Sequence, residues 1–369
     1  MDDSDLSDDD RDTDYDDVDE LAAAAAERTL LTLIMLLQRK RTYPKRTRNK
    51  IDRLAAEFLY STELDIHDML CEKNPYTDDY RGLDSDRDTE DEVEAAIRLF
   101  PGVLSKKSGP QQRLPIHFIT CGSDDKLSGI CNLKAVSFIP LAVRLATEFG
   151  LFREEERGGL LIEDEYEDTT MQHLITAGPT IPVDQQHLEL VDDKLVDDKC
   201  LLVIQKLRQM GLLKKEDIQS DFFEELWKNN SFAEKRFRFM IEWDPIFLTR
   251  VDCTGEVPLH EVALTRSMQK FQLVFEYGIR YYPNKKGISL LFQVEDQHVT
   301  PFQSACETSG RNEVMRVVED TLIRSSSPSS SADNSTQLNV VEAILTAAMD
   351  ENIHLDCVYF LFRRHPDVL

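Results

Sequence analysis

A proline that ends one helix, followed a short way on by a proline that begins another, recurs along this chain and commits it to short helices joined by turns. Phe100-Pro101-Gly102-Val103-Leu104, Asp244-Pro245-Ile246-Phe247-Leu248 and His365-Pro366-Asp367-Val368-Leu369 each follow an amphipathic run, with a related break at Tyr282-Pro283. Proline has no amide hydrogen and its ring meets the preceding turn, so a helix cannot continue through it undisturbed. Start signals come next: Leu114-Pro115-Ile116-His117, Val257-Pro258-Leu259-His260 and Thr300-Pro301-Phe302-Gln303. They lie 14 (101 to 115), 13 (245 to 258) and 18 (283 to 301) residues after the stops. At the first helical position the fixed φ of proline is an asset. A fourth start, Thr170-Met171-Gln172-His173, lacks the proline.

Asp252-Cys253-Thr254-Gly255-Glu256-Val257-Pro258-Leu259-His260, running on to Val262-Ala263, resembles the D-x-x-G turn and T-P-L-H-x-A helix start of ankyrin repeats. Gly255 permits the turn, Pro258 is preset for the helix and Leu259 opens the core. Thr300-Pro301-Phe302-Gln303-Ser304-Ala305-Cys306, continuing to Gly310-Arg311-Asn312-Glu313-Val314, resembles the same start followed by that family's interhelical loop and outer helix. Scored on Thr, Pro, apolar and His, the copies at 114, 257 and 300 match three positions and the copy at 170 two. The spacing from Pro258 to Pro301, 43 residues (301 minus 258), exceeds the ordinary period of about 33. The chain therefore resembles a degenerate, long-period, protist-type ankyrin array. That resemblance implies an all-α solenoid of helix-turn-helix repeats, with Pro115, His117, Thr170, His173, Gly255, Pro258, Leu259, His260, Thr300 and Pro301 in structural roles. It also implies a non-enzymatic scaffold, without a cofactor, that binds another protein through loop tips and inner helices. Acidic residues at the projected tips, Glu165, Asp252 and Glu295, favour a basic or amphipathic partner segment.

Charge divides the chain into parts. Residues 1–20 hold 12 acidic and 1 basic residue, contributing -11 of the net -26, and read as a disordered acidic tail. Residues 21–50 read as an apolar helix and a basic linker. Glu27 and Arg28 interrupt the apolar part, which falls short of the roughly 20 residues of a membrane span, so no membrane partner is expected. The basic run 39–50 supports an alternative reading as a nuclear protein associated with nucleic acid, although the acidic tail could mask it. Residues 51–369 read as the helical array, with a flexible Ser-rich insertion at 325–337. Its first helix carries Ile51, Leu54, Ala55, Phe58 and Leu59 on one apolar face; its second is opened by a Thr89/Glu92 capping box and carries Val93, Ala96, Ile97 and Phe100. The last helix pair is expected over 340–349 and 355–362.

Chemistry is thinly marked. Seven cysteines, at 71, 121, 131, 200, 253, 306 and 357, show no knuckle spacing and read as reduced thiols of a cytoplasmic or nuclear protein. A thiol hydrolase using Cys121 or Cys306 is a weak second alternative; His117 lies four residues before Cys121, but already has a place in the helix start. Asp84-Ser85-Asp86-Arg87-Asp88 opens like a calcium loop but has Thr89 and Ala95 where glycine and glutamate are required. The carboxylates 154–156 and 163–168 around Gly158-Gly159 read as a solvated loop. Lys235-Arg236-Phe237-Arg238-Phe239 reads as an outer helix burying Phe237, Met240 and Ile241 and exposing its arginines, with Trp243 filling the same core.

Overall fold

The computed structural model describes residues 28, 31–32, 34–72, 75, 77, 79–121, 130–178, 192–218, 226, 232–252, 254–282, 286–296, 298–326, 348–349 and 353–364. The acidic tail, Phe222, Phe223, Cys253, Pro283, residues 327–347 and Pro366 therefore lie outside the described residues. Those described are helical, with isolated bridges and no strand among them. Two compact units divide near Ile66 and His67. The first unit holds residues 28–42, helical in part, and most of α1 (Lys45–Leu70). The expected apolar face of α1 is not covered: Ile51 is buried, whereas Leu54, Phe58 and Leu59 are exposed.

The second unit contains α2 (Glu90–Leu99), α3 (Pro115–Thr120), α4 (Ile139–Glu148), α5 (Thr170–Thr176), α6 (Asp193–Gln209), α7 (Glu234–Trp243), α8 (Pro258–Leu264), α9 (Met268–Tyr281), α10 (Pro301–Ser309), α11 (Arg311–Ser326) and α12 (Asp356–Arg364). Helix α2 starts where its capping box sits, with Thr89 Oγ1 accepting from the Glu92 amide and Glu92 accepting from the Thr89 amide at 3.0 Å. It buries Val93 and Ile97. The stop prolines do more than end a helix. Pro101 and Pro245 each occupy the first position of a 3₁₀ turn, Pro101–Ser105 and Pro245–Thr249, which bury Val103 with Leu104 and Phe247 with Leu248. Ser325 and Ser326, at the head of the expected flexible insertion, instead complete α11.

Helices come in pairs that lie on the next pair. Short helix α8 lies against α10 and long helix α9 against α11, while α8 packs on α9 and α10 on α11. The same relation joins α3 to α5 and α4 to α6. The apolar stripes supply the cores: Cys200, Val203, Ile204 and Leu207 on α6, and Val314, Val317, Val318 and Leu322 on α11, are buried. Met210, which follows the last residue of α6, is exposed just before Gly211, whose φ of 71° turns the chain after the helix.

Helix α7 corrects one expectation. Phe237, Met240 and Ile241 are buried as the periodicity requires, but so is Arg236, at 2% exposure. Its Nε donates to Asp197 Oδ1 at 2.9 Å, and its terminal nitrogens donate to the carbonyls of Leu174, Ile175 and Ala177 at 2.9, 2.8 and 2.6 Å. The guanidinium thus caps the last turn of α5, where orphan carbonyls carry partial negative charge. Asp197 in turn accepts from the Lys235 and Arg236 amides and caps the start of α7, which has no side-chain cap of its own. One ion pair ties three helices. Trp243 does not fill the core; it is half-buried, with the Arg208 guanidinium 4.5 Å from its ring centre.

Truncating Arg236 removes the cation that pairs with buried Asp197 and the side-chain donor to three carbonyls. Arg236→Ala is expected to lower unfolding free energy by about 3–5 kcal/mol in urea denaturation, whereas exposed Arg238→Ala on the same helix should stay within roughly 1 kcal/mol of the parent.

Candidate functional site

Each short helix α3, α5, α8 and α10 is entered through the same tight turn. In three of them the first residue of the turn (Asp164, Asp252 or Glu295) donates its amide to the carbonyl four residues on and accepts from the amide three residues on. That third residue has positive φ: Glu167 at 65°, Gly255 at 79° and His298 at 62°. Ahead of α3 the turn is one residue wider, pairing Ser108 with Arg113, and Gln112 takes the positive φ of 50°. Only glycine adopts this region without strain. The D-x-x-G signal was therefore visible at Gly255 and hidden at the other three, where an ordinary, exposed residue takes the glycine conformation within the hydrogen-bonded turn.

The helix begins five residues after the first turn residue at Thr169, Val257 and Thr300, and the third helical residue secures it. His117 Nδ1 accepts from the Leu114 amide at 3.2 Å, His260 Nδ1 from the Val257 amide at 3.0 Å, and Gln303 Oε1 from the Thr300 amide at 3.0 Å. An Nδ1 that accepts leaves the proton on Nε2. That Nε2–H reaches the segment leading into the next short helix: His117 donates to the Ile162 carbonyl at 3.0 Å and His260 to the Gln293 carbonyl at 3.1 Å. Ile162 and Gln293 occupy the same place, two residues before the next turn. Each histidine therefore fastens its own helix start and the following unit at once. Burial lowers the pKa of both below the usual histidine range, which keeps the neutral tautomer that this bonding needs.

At α5 the expected register shifts by one. The cap is Thr169, whose hydroxyl accepts from the Gln172 amide at 3.1 Å, so Thr170 takes the place of the proline and Gln172 that of the histidine. The Met171 amide then bonds the Leu160 carbonyl as the Phe302 amide bonds Leu291, confirming the frame. His173 lies one residue beyond the motif position, buried, with its Nε2 lacking a hydrogen-bond partner among the described residues. The tip residue in this copy is likewise Asp164 in place of Glu165, which sits one position on and is exposed.

The acidic tips are largely engaged within the fold. Asp164 accepts from the Tyr166 and Asp168 amides and pairs with Arg113 at 2.7 Å, both side chains being fully buried. Burial alone would raise its pKa, but the Tyr166 amide and the Arg113 charge outweigh that and hold it below the ordinary value. Asp252 is exposed, yet accepts from the Thr254 and Glu256 amides. Glu295 is 9% exposed. Asp84 uses its side chain in the same local way, accepting from the Asp86 amide, in a turn that leads to the Thr89 cap.

The short helices also differ in access. All six residues of α3 are buried, the chain after it returning across its end at residues 130–132, and α5 leaves only Gln172 half-exposed. The backbones of Cys131 and Cys121 and of Ile130 and Gly178 pair in isolated β-bridges, and Asn132 donates to the Phe118 carbonyl at 3.2 Å. In contrast, α8 passes to α9 through Thr265, Arg266 and Ser267, and α10 to α11 through Gly310, with no returning segment. There the turns leave an open groove of 490 Å³ lined by Arg266, Ser267, Met268, Thr308, Ser309 and Glu313. Leu264, at the end of α8, is 58% exposed.

Residues considered for catalysis occupy packing positions. Both ring nitrogens of His117 are engaged, burial pushes the Cys121 thiol far above its ordinary range, and the Cys306 thiol is also raised by burial. Contact with Cys200, with Sγ atoms 3.6 Å apart, and then burial raise that of Cys131. The carboxylate-rich stretch after α4 is a 3₁₀ turn, Glu154–Gly159, with Gly158 and Gly159 buried; a Cβ on Gly158 would lie 2.7 Å from the Val143 carbonyl. No group of three or more His, Cys, Asp or Glu among the described residues is arranged to hold a metal ion. Comparison of the chain with models of known families, with curated proteins and with solved structures gives no match.

Two outcomes follow for the histidines. His260→Ala strands a buried amide and a carbonyl and is expected to cost about 1–3 kcal/mol in urea denaturation; His260→Gln, which can keep the Val257 bond as Gln303 keeps its own, should cost less. Burial, then the neighbouring His117, lowers the His173 pKa from 6.5 to about 4. The unfolded chain binds that proton first, so this contribution is intact above pH 6.5 and is lost as pH falls toward about 4, a change of about 3 kcal/mol. The urea midpoint of the parent should drop across that window, and that of His173→Gln should drop less.

Proposed function

We propose that this chain is a non-catalytic scaffold, an ankyrin-like solenoid that binds another protein. The observation that carries the reading is the repeated fastening of one unit to the next, in which His117 and His260 each cap their own helix and bond the following unit at the same position. Such an arrangement spends its polar groups on stacking, and its product is an extended surface. The binding surface is assigned to the open half, comprising the turns before α8 and α10, exposed Leu264 and the groove between the ends of α8 to α11. The α3 and α5 half serves as a closed support. With an overall charge of -26, a basic or amphipathic helical segment is the partner chemistry that fits, steered by charge and anchored by apolar contact.

The test is affinity capture by the full chain with identification of bound proteins, repeated with Leu264→Glu plus Met268→Glu. Captured proteins should carry basic segments, elute earlier as salt rises, and bind the variant about tenfold more weakly or less. A captured set that is unchanged by the variant and indifferent to salt would remove the support for this surface.

A further inference from the structure

The structure assigns residues 28–51 a second binding role, separate from the scaffold reading: a contact for an anionic lipid surface. From Arg28 to Ile51 stand eight cationic residues, Arg28, Arg39, Lys40, Arg41, Lys45, Arg46, Arg48 and Lys50, and no Asp or Glu; Lys40 is ion-paired with Asp52 just beyond. In a chain of net charge -26 this is a local reversal of sign. Directly before the basic run, Leu31, Ile34, Met35 and Leu37 are helical and stand 53, 40, 54 and 41% exposed. Large aliphatic side chains left in water beside a cation cluster are the two halves of an interfacial anchor. Apolar groups enter the headgroup boundary while Lys and Arg meet anionic headgroups, and either half alone binds only marginally.

The expectation of no membrane partner rested on the length of a bilayer span. No helix among the described residues is long and apolar enough to cross a membrane, but a segment lying in the interface is not held to that length. Charge on the rest of the molecule opposes approach at a distance and is screened beyond about 8 Å at physiological salt. Nucleic acid would reward the eight cations and leave the four aliphatic side chains in water. A second copy of the chain would cover the aliphatic face only by bringing two like-charged runs together. An anionic lipid surface answers both features.

Vesicle flotation of the full chain tests this, with phosphatidylcholine vesicles against the same vesicles containing phosphatidylserine. Two variants accompany the parent: Leu31→Ser, Ile34→Ser, Met35→Ser, Leu37→Ser together, and Lys45→Gln, Arg46→Gln, Arg48→Gln, Lys50→Gln together. The substituted aliphatic side chains are exposed, and circular dichroism should show both variants folded. The parent should float only with phosphatidylserine present. The charge variant should partition less by about fivefold for each cation removed, and the aliphatic variant should lose about tenfold or more. Equal flotation with both vesicle types, or undiminished flotation of the aliphatic variant, would overturn the assignment. So would a parent that fails to float but binds duplex DNA, or one that fails to float and sediments as a dimer dispersed by the aliphatic substitutions.

Discussion

A neutral imidazole with both nitrogens engaged is the interaction on which this arrangement depends. At His117 and His260 one nitrogen accepts from the first amide of the histidine's own helix and the other donates to a carbonyl of the next unit. A helix of six or seven residues would be marginal in isolation, since nucleation fixes several dihedrals for one hydrogen bond. Here the third residue supplies the missing acceptor at the helix start, and its second nitrogen makes the neighbour's presence part of the same stabilisation. Where glutamine replaces histidine, as at Gln303, the local bond survives; the side chain lacks the second ring nitrogen that reaches onward.

Where the histidine frame is interrupted, buried ion pairs take over the joining. Arg113 meets Asp164 across consecutive turns, and Arg236 with Asp197 ties α5, α6 and α7 together. Both pairs are shielded from water, and additional acceptors or donors satisfy much of the remaining capacity of the side chains. This matters because an ion pair moved into a low-dielectric interior recovers its desolvation cost only with such geometry. These pairs lie in the half of the second unit whose short helices are buried. The open half has shorter connections and less buried charge, and it is there that apolar side chains reach solvent next to a groove. On the proposed reading, support and binding surface fall on different parts of the second unit, and the basic run of the first unit carries charge of the opposite sign.

Much of the helical arrangement was legible in the residues. The Thr89/Glu92 box and the Pro258 and Pro301 starts rest on interactions between residues a few positions apart. Short-range bonds of this kind are written in short-range patterns. The candidate site was less legible. Thr169 and Thr170 are equally competent caps by residue type, and the choice between them displaced both the tip assignment at Glu165 and the histidine assignment at His173. Three of the four turns hold their positive φ on Gln112, Glu167 and His298, so the glycine signature was missing even though the conformation was present.

The sequence by itself therefore determined where helices start and stop and which faces are apolar, because caps, prolines and periodicity act within one or two turns of chain. Only the tertiary structure decided the frame of α5, through the Met171 amide and the distant Leu160 carbonyl. It alone decided that Arg236 is a buried cap and not a solvated charge, since its acceptors lie about sixty positions away along the chain. It also decided that α3 is covered, because the chain after it folds back across its end at residues 130–132, a property of the path and not of any local pattern.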